Sequence, residues 1–276
     1  MKYLKNKVVV ITGAGSGIGK ALTVEFAREG SRLAINDFNE QSLNETVEMI
    51  NGMAIDVFAK PFDVSNKDAM FGFADSVIQR FGQVDIVINN AGIGISDYLF
   101  HEYDLDLFKK VMDTNFYGVL YGSRAFIPHL LKRPEASLVN LSSIFGLTGI
   151  ANATAYCASK FAVHGLNQCL MQEYVNTGLT IHSVHPGGIN TNIIQNAPDY
   201  VETQNAFQSQ FLKRSPDDAA KVIVDGIRKK RHKILIGSEA YLLDFAVRMM
   251  PYYGSRIVNT EIQRKVGIAI KKANQK

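Results

Sequence analysis

The chain has 276 residues, 46% of them hydrophobic and 20% charged, the balance of a folded globular protein rather than a disordered one. No run approaches the ~18 apolar residues of a membrane-spanning helix, and the one after the lysines in "MKYLKNKVVVITG" is too short for a signal-peptide core. The net charge of +4 is uneven: residues 228–276 hold twelve Lys/Arg against three Asp/Glu, a net of +9, and the rest of the chain carries −5.

Along the chain, strand-like and helix-like segments alternate. "KVVVITG" (7–13) is a β-branched apolar run closed by glycine, as a buried parallel strand reads. "GIGKALTVEFAREG" (17–30) spaces Ile18, Leu22 and Phe26 as a helix and stops at Gly30. "RLAIND" (32–37) predicts a second strand, "NEQSLNETVEMI" a second helix, and 54–64 a third strand ending near Pro61. Residues 65–82 read as a helix with a serine cap and a closing glycine, and 84–92 as a fourth strand. A long helical stretch from Leu105 to about Leu131 precedes a strand at 137–143, a helix over Ala155 to Val175 and a strand at 179–188. Residues 189–215 are loop-like; a helix with Pro216 in its first turn and a short strand at 233–237 follow. Such alternation predicts right-handed crossovers and one α/β domain, a doubly wound parallel sheet covered on both faces.

"TGAGSGIG" (12–19) stands where the first strand turns into the first helix, the context that gives a glycine-rich motif meaning. Gly13 permits a tight turn, Gly17 lets backbone amides approach a pyrophosphate, and Gly19 lets the helix pack closely on the sheet. Free N–H groups and the positive dipole end of that helix then face the phosphates. Asp37, at the end of the second strand, can accept hydrogen bonds from an adenosine ribose 2′-hydroxyl and repels a 2′-phosphate. Ser16 is not basic and Arg32 lies at the strand's other end, so NAD is expected over NADP.

Farther on, "YCASK" places Tyr156 and Lys160 four apart on a helix, hence on one face. An unperturbed phenol, with a pKa near ~10, is a poor base at neutral pH. A neighbouring ammonium is expected to lower that pKa. Ser142 and Ser143 stand fourteen and thirteen residues upstream at a strand end, where alternation lets one of them point at the tyrosine.

With "FDV" (62–64), "NNAG" (89–92), "DTNFYG" around Asn115 and "HPGGINT" (185–191) in the same order, the sequence resembles the classical short-chain dehydrogenase/reductase family over about residues 5–237. The resemblance implies a Rossmann-type sheet of about seven strands over residues 1–238, with a cofactor half to about 150 and a substrate lid at about 189–215. It implies Tyr156 as general acid/base, Lys160 on the nicotinamide ribose, Ser143 on the substrate oxygen, and Asn115 at a helix distortion behind a proton relay. It further implies that the glycine loop with Ser16 and Ile18, Asp63 and Val64, Asn90, Ala91 and Gly92, and Pro186, Gly187, Ile189 and Thr191 contact the cofactor. A dimer or tetramer built on the helices at 105–131 and 155–175 is implied too.

The lid carries Ile193, Ile194, Tyr200, Phe207 and Phe211 and little charge, and "GIGISDYLF" (92–100) adds apolar side chains, so a hydrophobic alcohol or ketone is the expected substrate. Residues 239–276 form a basic amphipathic extension in which Leu242, Phe245, Val247, Met249 and Met250 could share one side of a helix. A helix capping the cleft or a subunit interface, with solvated lysines, is the plainer reading of that tail; peripheral contact with an anionic membrane is the sharper one. A 3-oxoacyl-thioester reductase and a non-catalytic dinucleotide sensor or scaffold are the alternative functions, and no recognised motif points to nucleic acid. Cys157 and Cys169 have no metal-ligand spacing, and His182 and His185 read as structural, so no metal is expected and the setting is read as reducing and cytoplasmic.

Overall fold

In the computed structural model the described residues are 1–94, 98–191, 193, 212–257, 259–261 and 264. Strand β1 (Val8–Thr12) runs into α1 (Gly17–Arg28), β2 (Arg32–Asp37), α2 (Glu40–Met49), β3 (Val57–Pro61), α3 (Lys67–Phe81) and β4 (Ile86–Asn89). The second half holds α4 (Leu105–Met112), α5 (Gly118–Leu130), β5 (Ala136–Leu141), α6 (Thr154–Glu173) and β6 (Leu179–Pro186), then α7 (Pro216–Arg228), β7 (Lys233–Ile236) and α8 (Ser238–Met249). The seven strands form one sheet in the order β3-β2-β1-β4-β5-β6-β7, every neighbouring pair parallel. The fold is a single Rossmann-like domain. Chain order reverses between β1 and β4, and the crevice beyond the carboxyl ends of those strands is where such sheets bind ligands.

Alternation along each strand divides the core. Val9 and Ile11 face the layer of α1 and α7 with Leu33, Ile35 and Ile223, while Val8 and Val10 face the layer of α3, α5 and α6 with Phe73, Phe126 and Leu170. All of these are buried, as a parallel sheet requires on both faces.

Three details depart from the sequence expectations. Helix α3 begins at Lys67 and is capped by Asn66, whose Oδ1 accepts from Ala69 N at 3.0 Å; Ser65 stands one position before the cap, where its N–H donates to Asp63 Oδ1 at 2.9 Å. The stretch expected to be one helix over 105–131 is interrupted by a π-helical turn at Asp113–Tyr117, the distortion implied at Asn115. On α8, Val247 packs with buried Leu243 against Ile144 and Phe145, whereas Leu242, Phe245 and Met249 are largely exposed, Leu242 at the rim of the cleft. At about 100° per residue, Val247 stands about 140° around the helix from Leu242, so the expected single stripe splits in two.

Most of the predicted lid, including Ile194, Tyr200, Phe207 and Phe211, lies outside the described residues, as does the tail after residue 264. Among the described residues no helix is long and apolar enough to cross a membrane.

Candidate active site

At the carboxyl edge of the sheet lies a cavity of about 1070 Å³. Its first wall is the turn from β1 to α1. Gly17 takes φ +53°, a region that favours glycine, and a Cβ on Gly19 would stand 2.0 Å from Gly13 O, so the helix could not pack this closely with any side chain there. Side-chain oxygens cap α2, α3 and α4 (Asn39, Asn66, Asp104), but no side chain caps α1 at Ser16. The N-terminus of α1 therefore keeps donors for an anion in the cavity, which Ser16, Gly17 and Ile18 line.

Asp37 lines the same wall and also ties it together. Its Oδ2 accepts from Gly15 N at 2.8 Å and its Oδ1 from Asn39 N at 2.9 Å, joining the glycine turn to the start of α2. Asp63, Val64, Asn90, Ala91 and Gly92 continue the lining, and Asn90 Nδ2 donates to the carbonyls of Thr12 and Gly13 at 2.9 and 3.1 Å. Pro186, Gly187, Ile189 and Thr191 close the far side, where Glu239 Oε1 accepts from Gly188 N at 3.2 Å.

Tyr156 and Lys160 enter from α6, both almost completely buried, with Lys160 Nζ 5.6 Å from the centre of the Tyr156 ring and donating to Leu141 O at 3.1 Å. Burial pushes the Tyr156 phenol up to about 12 and the Lys160 ammonium down to about 8. This corrects the expectation that the ammonium lowers the phenol. Desolvation dominates, and the opposing pull comes from a hydrogen bond with Ser143, because Lys160 is turned to a backbone carbonyl.

Both serines lie just beyond the end of β5 and both engage α6. Ser143 bonds Tyr156 and accepts from Phe145 N at 3.1 Å; Ser142 Oγ donates to Lys160 O at 2.8 Å. The serine that the family resemblance implied is thus the one beside the phenol. Asn115 stands behind the pair in the π-helical turn. Its Oδ1 accepts from Ile93 N at 2.8 Å, and its Nδ2 donates to Ile93 O at 3.1 Å and Ser159 Oγ at 3.2 Å.

Of the residues expected to be catalytic or to contact the cofactor, Gly19, Ser143 and Asn115 do not line the cavity; all the others do. Sequence reasoning missed Phe38, Phe62 and Glu239, which also line it. Phe38 directly follows Asp37 and Phe62 directly precedes Asp63, so both could have been found by adjacency, but nothing local marks Glu239. The cavity's other end is apolar, with Ile93, Ile144, Phe145, Leu242, Met250 and Ile257 on its walls. The two histidines read as structural bond protein groups through both ring nitrogens: His182 to Arg231 O and Ser137 Oγ, His185 to Ser143 O and Ser183 Oγ.

The family model described as short chain dehydrogenase matches residues 7–201. The chain belongs to the short chain dehydrogenase family. As a member it is an oxidoreductase acting between CH–OH and C=O with a nicotinamide dinucleotide. It is similar to SadH of Mycobacterium tuberculosis, a protein named as an oxidoreductase, with 36% identity over 265 residues, 94% of this chain and 96% of SadH. It is also similar to a short chain dehydrogenase/reductase from Burkholderia phymatum solved in complex with NAD, with 27% identity, 90% and 96% of the two chains covered and a TM-score of 0.81. A third likeness is to the alcohol dehydrogenase of the archaeon Thermococcus sibiricus, solved with 5-hydroxy-NADP, at 25% identity, 83% and 95% coverage and a TM-score of 0.72. The uncapped α1 terminus, the close glycine turn and Asp37 fit the pyrophosphate and ribose of such a cofactor.

Proposed function

We propose that this dehydrogenase takes NAD rather than NADP and acts on a hydrophobic secondary alcohol or its ketone. What carries the reading is Tyr156 on the wall of a cavity that is lined by the glycine turn and Asp37 at one end and by apolar side chains at the other. When bound, the nicotinamide supplies the acceptor or donor of hydride. Tyr156 Oη exchanges the proton of the substrate oxygen, and Ser143, bonded to the same phenol, holds that oxygen. Lys160 binds the nicotinamide ribose and Asn115 fixes the turn behind it.

A carboxylate at Asp37 favours a free 2′-hydroxyl and opposes a 2′-phosphate. Tighter binding of NADPH than of NADH in a direct titration would overturn that half of the proposal. Ile144, Phe145, Leu242 and Met250 offer no charged partner to a sugar or an acidic metabolite. The test is NAD⁺ reduction across steroids, long-chain alcohols, acyl derivatives and small diols. Turnover should concentrate in the apolar alcohols, and turnover confined to diols or acyl thioesters would contradict the reading. The intact Ser143, Tyr156 and Lys160 set favours an enzyme over a dinucleotide sensor. We assign residues 1–238 to the catalytic domain and the segment after them to a wall of the cleft, since Leu242, Met250 and Ile257 all line it.

A further inference from the structure

Beneath the site, five buried side chains form a hydrogen-bonded file that the chemistry above does not use. Asn89 on β4, Asn140 on β5 and Ser183 on β6 are cross-strand partners in one row of the sheet, and all are buried. Asn89 Nδ2 donates to Asn140 Oδ1 at 2.8 Å, and Asn140 Nδ2 donates to Asn167 Oδ1 on α6 at 2.7 Å. Asn167 Nδ2 donates to Ser183 Oγ at 3.0 Å. Ser183 Oγ meets His185 Nε2 at 2.9 Å, and His185 Nδ1 meets the carbonyl of Ser143 at 3.0 Å.

The direction of the file follows from what each group can do. A carbonyl only accepts, so Nδ1 of His185 carries the proton and Nε2 of the neutral ring is an acceptor. Ser183 must then donate its hydroxyl hydrogen to Nε2, which leaves its oxygen to accept from Asn167. Every bond points the same way, toward Ser143. Such chains polarise one another, and their members are costly to leave unpaired in the interior. The file also passes through Asn167, which lies seven and eleven residues from Lys160 and Tyr156 on the same side of α6. The middle of the file therefore holds the helix bearing the phenol, and its last bond holds the backbone of the serine that bonds that phenol.

We infer that His185 is a positioning residue: as the Nδ1–H tautomer selected by Ser183, it clamps the Ser143 carbonyl and sets the Ser143 hydroxyl against Tyr156. The inference rests on the proposed role of Ser143 with Tyr156 and goes beyond it, because His185 does not line the cavity. Burial is the largest influence on the ring and disfavours its charged form; the bond to the Ser143 carbonyl opposes it, His164, stacked edge-on with ring centres 4.9 Å apart, and Lys233 add to it, and Asp244 opposes them.

The test uses the full chain and three substitutions. Asparagine places its amide nitrogen where Nδ1 stands, whereas glutamine reaches the Nε2 position. His185→Asn should keep kcat within about threefold of the parent. His185→Gln and Ser183→Ala should lower kcat by about tenfold or more while KM and NADH affinity stay within about twofold, the size expected when a reacting pair is misplaced. Equal kcat in all three variants, or equal losses in the asparagine and glutamine variants, would overturn the inference. Selective ¹⁵N-histidine labelling gives a second readout independent of turnover: His185 should be neutral with its proton on Nδ1 from pH 8 to 5. A proton on Nε2, or titration near pH 6.5, would equally overturn it. Ser143→Ala separates the two readings, since wild-type kcat in that variant removes the serine's proposed role and not merely the part played by His185.

Discussion

Tyr156 sits in a cavity that favours its neutral form, pushed up to about 12, and that form is the proton donor a ketone needs. The sign follows directly. Carbonyl reduction should hold level through neutral pH and fall only as the phenol is lost, while alcohol oxidation should climb as pH rises. Initial rates in both directions between pH 6 and 10 check this, and a parallel fall of both on raising pH would contradict it. The residues of this pair were legible in the sequence because helical spacing fixes a shared face, whereas distance from Tyr156 left Ser142 and Ser143 open and the family resemblance chose Ser143. The direction of the pKa shift was not. It depends on how deeply α6 buries the phenol and on Lys160 turning to Leu141 O, and both are tertiary facts.

At the scale of elements, strand and helix identities followed from periodicity and glycine placement, but caps and breaks did not. Asn66 and not Ser65 caps α3 because the helix begins at Lys67, which puts Asn66 in the cap position with its Oδ1 on Ala69 N, a register that residue type alone does not reveal. Asn66→Ala should cost about 1 kcal/mol in a denaturant titration, and Ser65→Ala much less; equal costs would refute the assignment. The π-helical turn at Asp113–Tyr117 depends on Asn115 satisfying both the N–H and the carbonyl of Ile93. Asn115→Ala leaves those groups and the Ser159 hydroxyl short of a partner, so a loss of about 1–3 kcal/mol is expected together with a fall in turnover. Unchanged thermal stability would show that the turn holds without it.

Across the whole molecule, burial of uncharged histidines links the fold to pH. His182 is lowered from 6.5 to about 4 and His185 to about 3, chiefly by desolvation. The unfolded chain binds protons from pH 6.5 downward that the folded chain refuses until about 4 and 3, so stability should fall steadily as pH drops from 6.5 toward 4. His182→Asn keeps a donor toward the Arg231 carbonyl and removes one titrating ring, so thermal unfolding at pH 7, 6 and 5 should show a shallower slope; an unchanged slope would contradict this. The basic extension resolved differently from its sequence pattern, because a helix whose inner face packs on Ile144 and Phe145 still leaves Leu242, Phe245 and Met249 largely exposed. No composition count separates those two faces.

The most direct measurement pairs activity with cofactor binding in Tyr156→Phe. Loss of the hydroxyl should abolish NAD⁺-dependent alcohol oxidation while the dissociation constant for NADH stays within about twofold, since the ring and the cavity wall remain. Turnover at the parental rate in that variant would contradict the assignment of proton exchange to Tyr156.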